Sequence, residues 1–112
     1  MKAICGGLAM AQGLEVDLQF NEVFDVLINS DEHAEALLAA ARDVLGDDAA
    51  DGNQQLVTGS EDFADMLQQV PGAYGWLGHA GTAPLHSPSF VLDESILPVG
   101  ASIFARIIER QR

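Results

Sequence analysis

Leu14-Glu15-Val16-Asp17-Leu18-Gln19-Phe20 alternates apolar and polar residues without a break. Side chains along a strand point to opposite faces in turn, so Leu14, Val16, Leu18 and Phe20 share one face and Glu15, Asp17 and Gln19 the other. The pattern predicts a strand of a sheet with one face on a core and one in water. Val23 to Ile28 is a second apolar run that extends or re-enters the sheet. With helical patterns on both sides, the expected fold class is α/β (α+β).

Upstream, Met1 to Gln12 predicts a helix with Ile4, Leu8 and Ala11 on one stripe. Gly13 closes it, at the position where the chain turns left-handed. Downstream, Asn29-Ser30 opens a second helix. Asn29 and Glu32 have capping-box spacing, and either Asn29 or Ser30 can satisfy the free N–H groups of the first turn. Ala34, Leu37, Leu38, Ala41, Val44 and Leu45 form its apolar stripe, and Gly46 ends it. Residues 47–55, with Gly52-Asn53, read as an exposed loop. Thr58-Gly59-Ser60-Glu61-Asp62-Phe63 is a glycine turn into a third helix, with Ser60 as cap and two acids in the first turn, where the helix dipole favours them. Phe63, Met66, Leu67 and Val70 keep helical spacing until Pro71-Gly72. Ala73 to Leu77 predicts a short strand, and residues 78–89 a loop holding His79 and His86. The last helix starts near Asp93 or Ser95, with Pro98 in or near its first turn. Its apolar face is Ile96, Val99, Gly100, Ile103, Phe104, Ile107 and Ile108.

The chain has 112 residues, enough for one small domain or a piece of a larger one. An apolar content of 48% excludes a disordered chain. A net charge of −12 speaks against nucleic acid and against an anionic membrane surface as partners. No apolar run approaches the ~20 residues of a membrane span. The opening residues do not read as a targeting segment, which leads to the expectation of a cytoplasmic protein. The single cysteine, Cys5, makes no internal disulfide. Between Arg42 and Arg106 there is no Lys or Arg. Such an acidic stretch suits a solvated surface first, and a metal or cationic partner second.

Three places draw attention as chemistry. His86 lies in Pro84-Leu85-His86-Ser87-Pro88, where prolines stiffen the loop and hold an imidazole in place for a metal or a proton. The bland alternative is a loop histidine bonded to a backbone carbonyl. One histidine is not a metal site, since a catalytic zinc takes about three protein ligands. Glu61, Asp62, His79, Asp93 and Glu94 offer donors but stand at no recognised ligand spacing. Gly59-Ser60-Glu61 can present bare N–H groups to a carboxylate or phosphate, or be an ordinary helix start. Asn29 can bind a ligand carboxylate, or be only a cap. No Ser-His-Asp order, phosphate loop or dinucleotide fingerprint is present.

Several blocks together carry a resemblance. Gly59-Ser60-Glu61-Asp62-Phe63-Ala64, Pro71-Gly72-Ala73-Tyr74, Leu77-Gly78, Leu85-His86-Ser87-Pro88 with Phe90, Asp93-Glu94 and Leu97-Pro98-Val99-Gly100-Ala101 occur in this order. The sequence resembles the C-terminal part of the metallopeptidase family 20 amidohydrolases, of the aminoacylase and hippurate-hydrolase type. The upstream part, from Ala9-Met10-Ala11-Gln12-Gly13 to Asn29-Ser30, resembles the second half of that family's lid or dimerisation domain.

The resemblance implies two regions, 1–57 from the lid and 58–112 from a di-metal catalytic domain. It implies hydrolysis of the amide of N-acyl amino acids or related small molecules, and a homodimer. Two divalent ions (zinc, manganese, cobalt or nickel) polarise the carbonyl and acidify a bridging water, while a glutamate moves the proton. Of the family's metal ligands only the last histidine maps here, onto His86. Asn29, Gly59, Ser60 and Glu61 map beside the substrate. The general base and the other ligands map to no residue of these 112, so the chain reads as a fragment, inactive by itself. The usual prolines or threonines before the asparagine are replaced by Asp25-Val26-Leu27-Ile28. The alternative from another class is a stand-alone, non-catalytic α/β interaction module.

Overall fold

The computed structural model describes residues 1–53, 55–81 and 83–112. Gln54 and Thr82, which the sequence places in the 47–55 and 78–89 loops, lie outside the described residues. The described residues form four α-helices: α1 Lys2–Gln12, α2 Asp31–Leu45, α3 Phe63–Gln69 and α4 Leu97–Arg110. Short 3-10 turns at Asp47–Ala49 and Glu94–Ile96 follow α2 and precede α4.

The helix ends follow local chemistry. Gly13 takes φ 64°, its N–H donates to the Met10 carbonyl at 3.3 Å, and the Leu14 N–H donates to Ala9 at 2.9 Å. This pair of bonds is the Schellman closure, and glycine adopts the left-handed turn without a Cβ penalty. Gly46 ends α2 at φ 90°. The Asp93 carboxylate accepts the Ser95 N–H at 3.0 Å and starts the turn into α4, with Pro98 in that helix's first turn.

Two expected caps differ. The capping box at Asn29 and Glu32 does not form. Ser30 occupies the N-cap of α2, yet its hydroxyl pairs with His33 Nδ1 at 3.0 Å. The third helix begins at Phe63 rather than after Ser60, so Glu61 and Asp62 precede its first turn.

The expected α/β class is not what the chain adopts: among the described residues there is no strand and no sheet. Leu14 to Phe20, Val23 to Ile28 and Ala73 to Leu77 all lack ladder pairing. From the Leu14 carbonyl to the Asn29 N–H, no backbone–backbone hydrogen bond is made. Alternation fixes which side chains share a face. A strand also requires a second segment to take its N–H and C=O groups, and among the described residues no backbone takes those of residues 15–28.

The core is correspondingly small. Ala9, Ala40, Ala64 and Ile103 are the buried apolar residues. α2 packs on α4, bringing together Ala40 (0% exposed) and Ile103 (9%) as the buried residues of the two helices. The Asp43 carboxylate accepts Arg106 Nε at 2.8 Å and Arg110 Nη1 at 2.7 Å across this pair of helices. Both guanidiniums hold the Asp43 carboxyl below its usual range, Arg106 most strongly. On α4 the expected apolar face is only partly covered: Ile103 is buried, whereas Phe104 and Ile108 face water. The molecule measures 64 × 36 × 22 Å with a radius of gyration of 20.1 Å. A compact domain of similar length has about 13 Å, so much apolar surface stays uncovered. No helix among the described residues is long and apolar enough to cross a membrane.

Candidate functional site

An open cleft of about 1080 Å³ lies between residues 22–29, the first turns of α2, residues 51–52, residues 55–61 and residues 74–76. Asn29, Gly59, Ser60 and Glu61, four of the five site residues expected from the sequence, line it together. They come from positions some thirty residues apart, so their meeting is a tertiary result. Phe24, Val57 and Trp76 give the cleft apolar surface beside these polar groups.

Asn29 is held by two bonds to one residue. Its Oδ1 accepts the Tyr74 N–H at 2.8 Å, and its Nδ2 donates to the Tyr74 carbonyl at 2.9 Å. The adjacent Ser30 N–H donates to the Gly72 carbonyl at 2.9 Å. Gln68 on α3 adds a third tie, donating from Nε2 to Asp25 Oδ2 at 2.6 Å. These contacts hold the 25–30 segment to α3 and the turn after it.

Tyr74 also lines the cleft. Its ring lies 5.7 Å from that of Phe63, tilted by 44°. Its phenol sits beside the Glu61 carboxylate, which also accepts the Phe63 N–H at 3.4 Å. The phenol lowers the Glu61 pKa, with the Asp62 carboxyl and the Phe63 N–H acting the same way. In return Glu61 raises the Tyr74 pKa, and burial adds to that shift. A phenol beside a carboxylate favours the neutral phenol and the ionised carboxylate over the reverse. The signal available in the sequence was that Tyr74 is the one tyrosine of the chain.

The Gly59-Ser60 turn precedes a helix of only seven residues, Phe63–Gln69. Its first N–H groups are partly taken, by the Glu61 carbonyl to Ala64 and by the Glu61 carboxylate to Phe63. The turn is therefore a wall of the cleft and not an anion cradle.

His86 is not among the residues lining the cleft. It occupies the third position of a β-turn in which the Ser87 N–H donates to the Pro84 carbonyl at 3.1 Å. Its φ is +66°, and it is the one non-glycine residue with positive φ among those described. Position i+2 of a type II turn asks for this conformation and is normally given to Gly or Asn. The imidazole is exposed, with no hydrogen-bond partner among the described residues. An L-residue in this conformation costs about 1–2 kcal/mol. The loop around it is closed at its base by His79, whose ring meets Phe90 edge-on at 5.4 Å and whose Nδ1 accepts the Gly81 N–H at 3.0 Å.

Could these residues hold a metal by themselves? Among the described residues no group of three or more His, Cys, Asp or Glu lies close enough to do so. His86 offers one neutral donor, and one donor does not fit a complete catalytic metal site.

Comparison with known proteins decides the family. Peptidase family M20/M25/M40 matches residues 4–110. The chain belongs to this family. Hippurate hydrolase of Campylobacter jejuni is 29% identical over 104 residues, covering 93% of this chain and 27% of the relative. N-acetylcysteine deacetylase of Bacillus subtilis is 32% identical over 108 residues, covering 96% and 27%. An IAA-amino acid hydrolase of Arabidopsis thaliana is 34% identical over 95 residues, covering 80% and 20%. The chain thus spans about a quarter of the length of the curated relatives it matches. No solved structure matches it at comparable significance.

Proposed function

We propose that this chain supplies part of a metal-dependent amidohydrolase that cleaves the amide of N-acyl amino acids or related small molecules. The observation that supports the reading is His86, held at positive φ with its imidazole exposed. Hippurate and N-acetylcysteine, named in two relatives, are both N-acyl amino acids. His86 contributes one ligand to a divalent metal. The remaining ligands and the general base come from residues outside these 112, and no catalytic step is assigned to the chain alone.

The cleft is the candidate place for the organic part of the substrate. Gly59, Ser60 and Glu61 form one wall, Asn29 another, and Trp76 with Val57 offers an apolar surface for an acyl group. Residues 1–57 are assigned to the lid or dimerisation region and 58–112 to the catalytic region, joined at the Asn29–Tyr74 and Ser30–Gly72 bonds. Exposed Ile4, Leu8, Phe104 and Ile108 support a second copy of the chain as partner.

The test is a panel of N-acyl amino acids, including hippurate and N-acetyl derivatives. It is offered to the longest translated frame containing these residues, loaded with zinc or manganese. Release of free amino acid supports the reading; a metal-loaded, folded protein that cleaves none of them refutes it.

A further inference from the structure

Asn29 does for Tyr74 what a neighbouring strand would do. A side-chain amide carries the same donor and acceptor as a peptide group. Its 2.8 and 2.9 Å bonds to the N–H and C=O of one residue reproduce the reciprocal pair of antiparallel strands. Tyr74 makes no backbone–backbone hydrogen bond among the described residues, so the Asn29 amide alone satisfies its main chain. The partner lies 45 residues away in the sequence, and both residues line the cleft. Once the Tyr74 backbone is placed, its ring packs on Phe63 at 5.7 Å and its phenol lies beside Glu61.

We infer that Asn29 is a positioning residue: by clamping the Tyr74 backbone it sets the Tyr74 phenol against Glu61, and acts on the cleft by this route. The consequence is a cleft wall on which Glu61 holds its charge to lower pH, and Tyr74 its proton to higher pH, than either would alone. That this wall meets a substrate rests on the function proposed above; the clamp does not.

Tyr74 is the one tyrosine in the chain, so phenolate absorbance reports it alone. The 112-residue chain is titrated in alkali while far-UV circular dichroism follows its helices. In the wild type the midpoint lies above the usual value of about 10. Glu61→Gln brings it back toward that value. Asn29→Ala does the same with Glu61 still in place. Asn29→Ser is too short to reach both the Tyr74 N–H and C=O, adds no charge, and shifts the midpoint the same way. Asn29→Ser decides the matter if Asn29→Ala loses its helices. The inference is overturned by a wild-type midpoint at the ordinary value. It is equally overturned if the folded Asn29 variants keep the wild-type midpoint while Glu61→Gln moves it, which would mean that packing on Phe63 suffices. None of these readings involves hydrolysis, so failure of the substrate panel and failure of the clamp are separate results.

Discussion

Replacing His86 by Gly and by Ala separates what its backbone costs from what its side chain does. At φ +66° an L-residue is disfavoured by about 1–2 kcal/mol. Alanine keeps the Cβ and therefore this penalty. It removes only the imidazole, which is exposed and without a hydrogen-bond partner among the described residues. His86→Ala is expected to leave stability within about 0.5 kcal/mol of wild type. Glycine removes the penalty but makes the unfolded chain freer, which takes back about 0.5–1 kcal/mol. The difference puts His86→Gly above His86→Ala by about 0.5–1 kcal/mol. At an ordinary exposed helix position such as Ala105 in α4, the order reverses, and Ala105→Gly should lose about 1 kcal/mol. Urea unfolding followed by far-UV circular dichroism, with a common slope, measures all three. The reasoning is refuted if the glycine variant is less stable than the alanine variant. It is also refuted if His86→Ala loses more than about 1 kcal/mol, because the imidazole would then be a structural strut.

Three further outcomes follow from the packing. Ile103→Ala should destabilise by about 2–5 kcal/mol through lost burial and cavity, whereas Phe104→Ala on the exposed side should change stability by less than about 0.5 kcal/mol; the same urea series compares them. The Asp43 carboxyl is held below its ordinary value by Arg106 and Arg110, so its stabilising contribution is full above about pH 4 and fades as pH falls through the lowered value. Melting temperature plotted from neutral to acid pH should therefore drop less in Asp43→Asn than in wild type over that acid range. With one candidate ligand, the 112 residues alone should release no amino acid from N-acyl amino acids above background; robust, chelator-sensitive hydrolysis by the purified chain would contradict this.

What the sequence made legible was local. Gly13, Gly46 and Pro98 act through their own backbone limits, so α1, α2 and α4 could be bounded from neighbours in the chain. The third helix starts later than expected because the Glu61 carboxylate and carbonyl turn forward onto Phe63 and Ala64, a choice that Ser60 could equally have made. The strands were not legible in this sense. Leu14 to Phe20 states which side chains belong together, but pairing depends on a second segment, and alternation carries no information about one. The site divides in the same way. The family blocks pointed to Asn29, Gly59, Ser60 and Glu61, which share a cleft. They could not show that Asn29 spends its amide on Tyr74, or that Tyr74 belongs with Glu61. Nor could Leu85-His86-Ser87-Pro88 reveal the positive φ at His86, since serine and proline neighbours are compatible with several turns.

The central claim is that His86 serves a metal in an amide-cleaving protein. It is tested most directly by measuring bound metal and hydrolysis of N-acyl amino acids in the longest translated frame containing this chain, wild type beside His86→Ala. The account predicts that the variant stays folded, binds less zinc or manganese and falls to background hydrolysis. A His86→Ala protein that retains full metal content and full hydrolysis would contradict it.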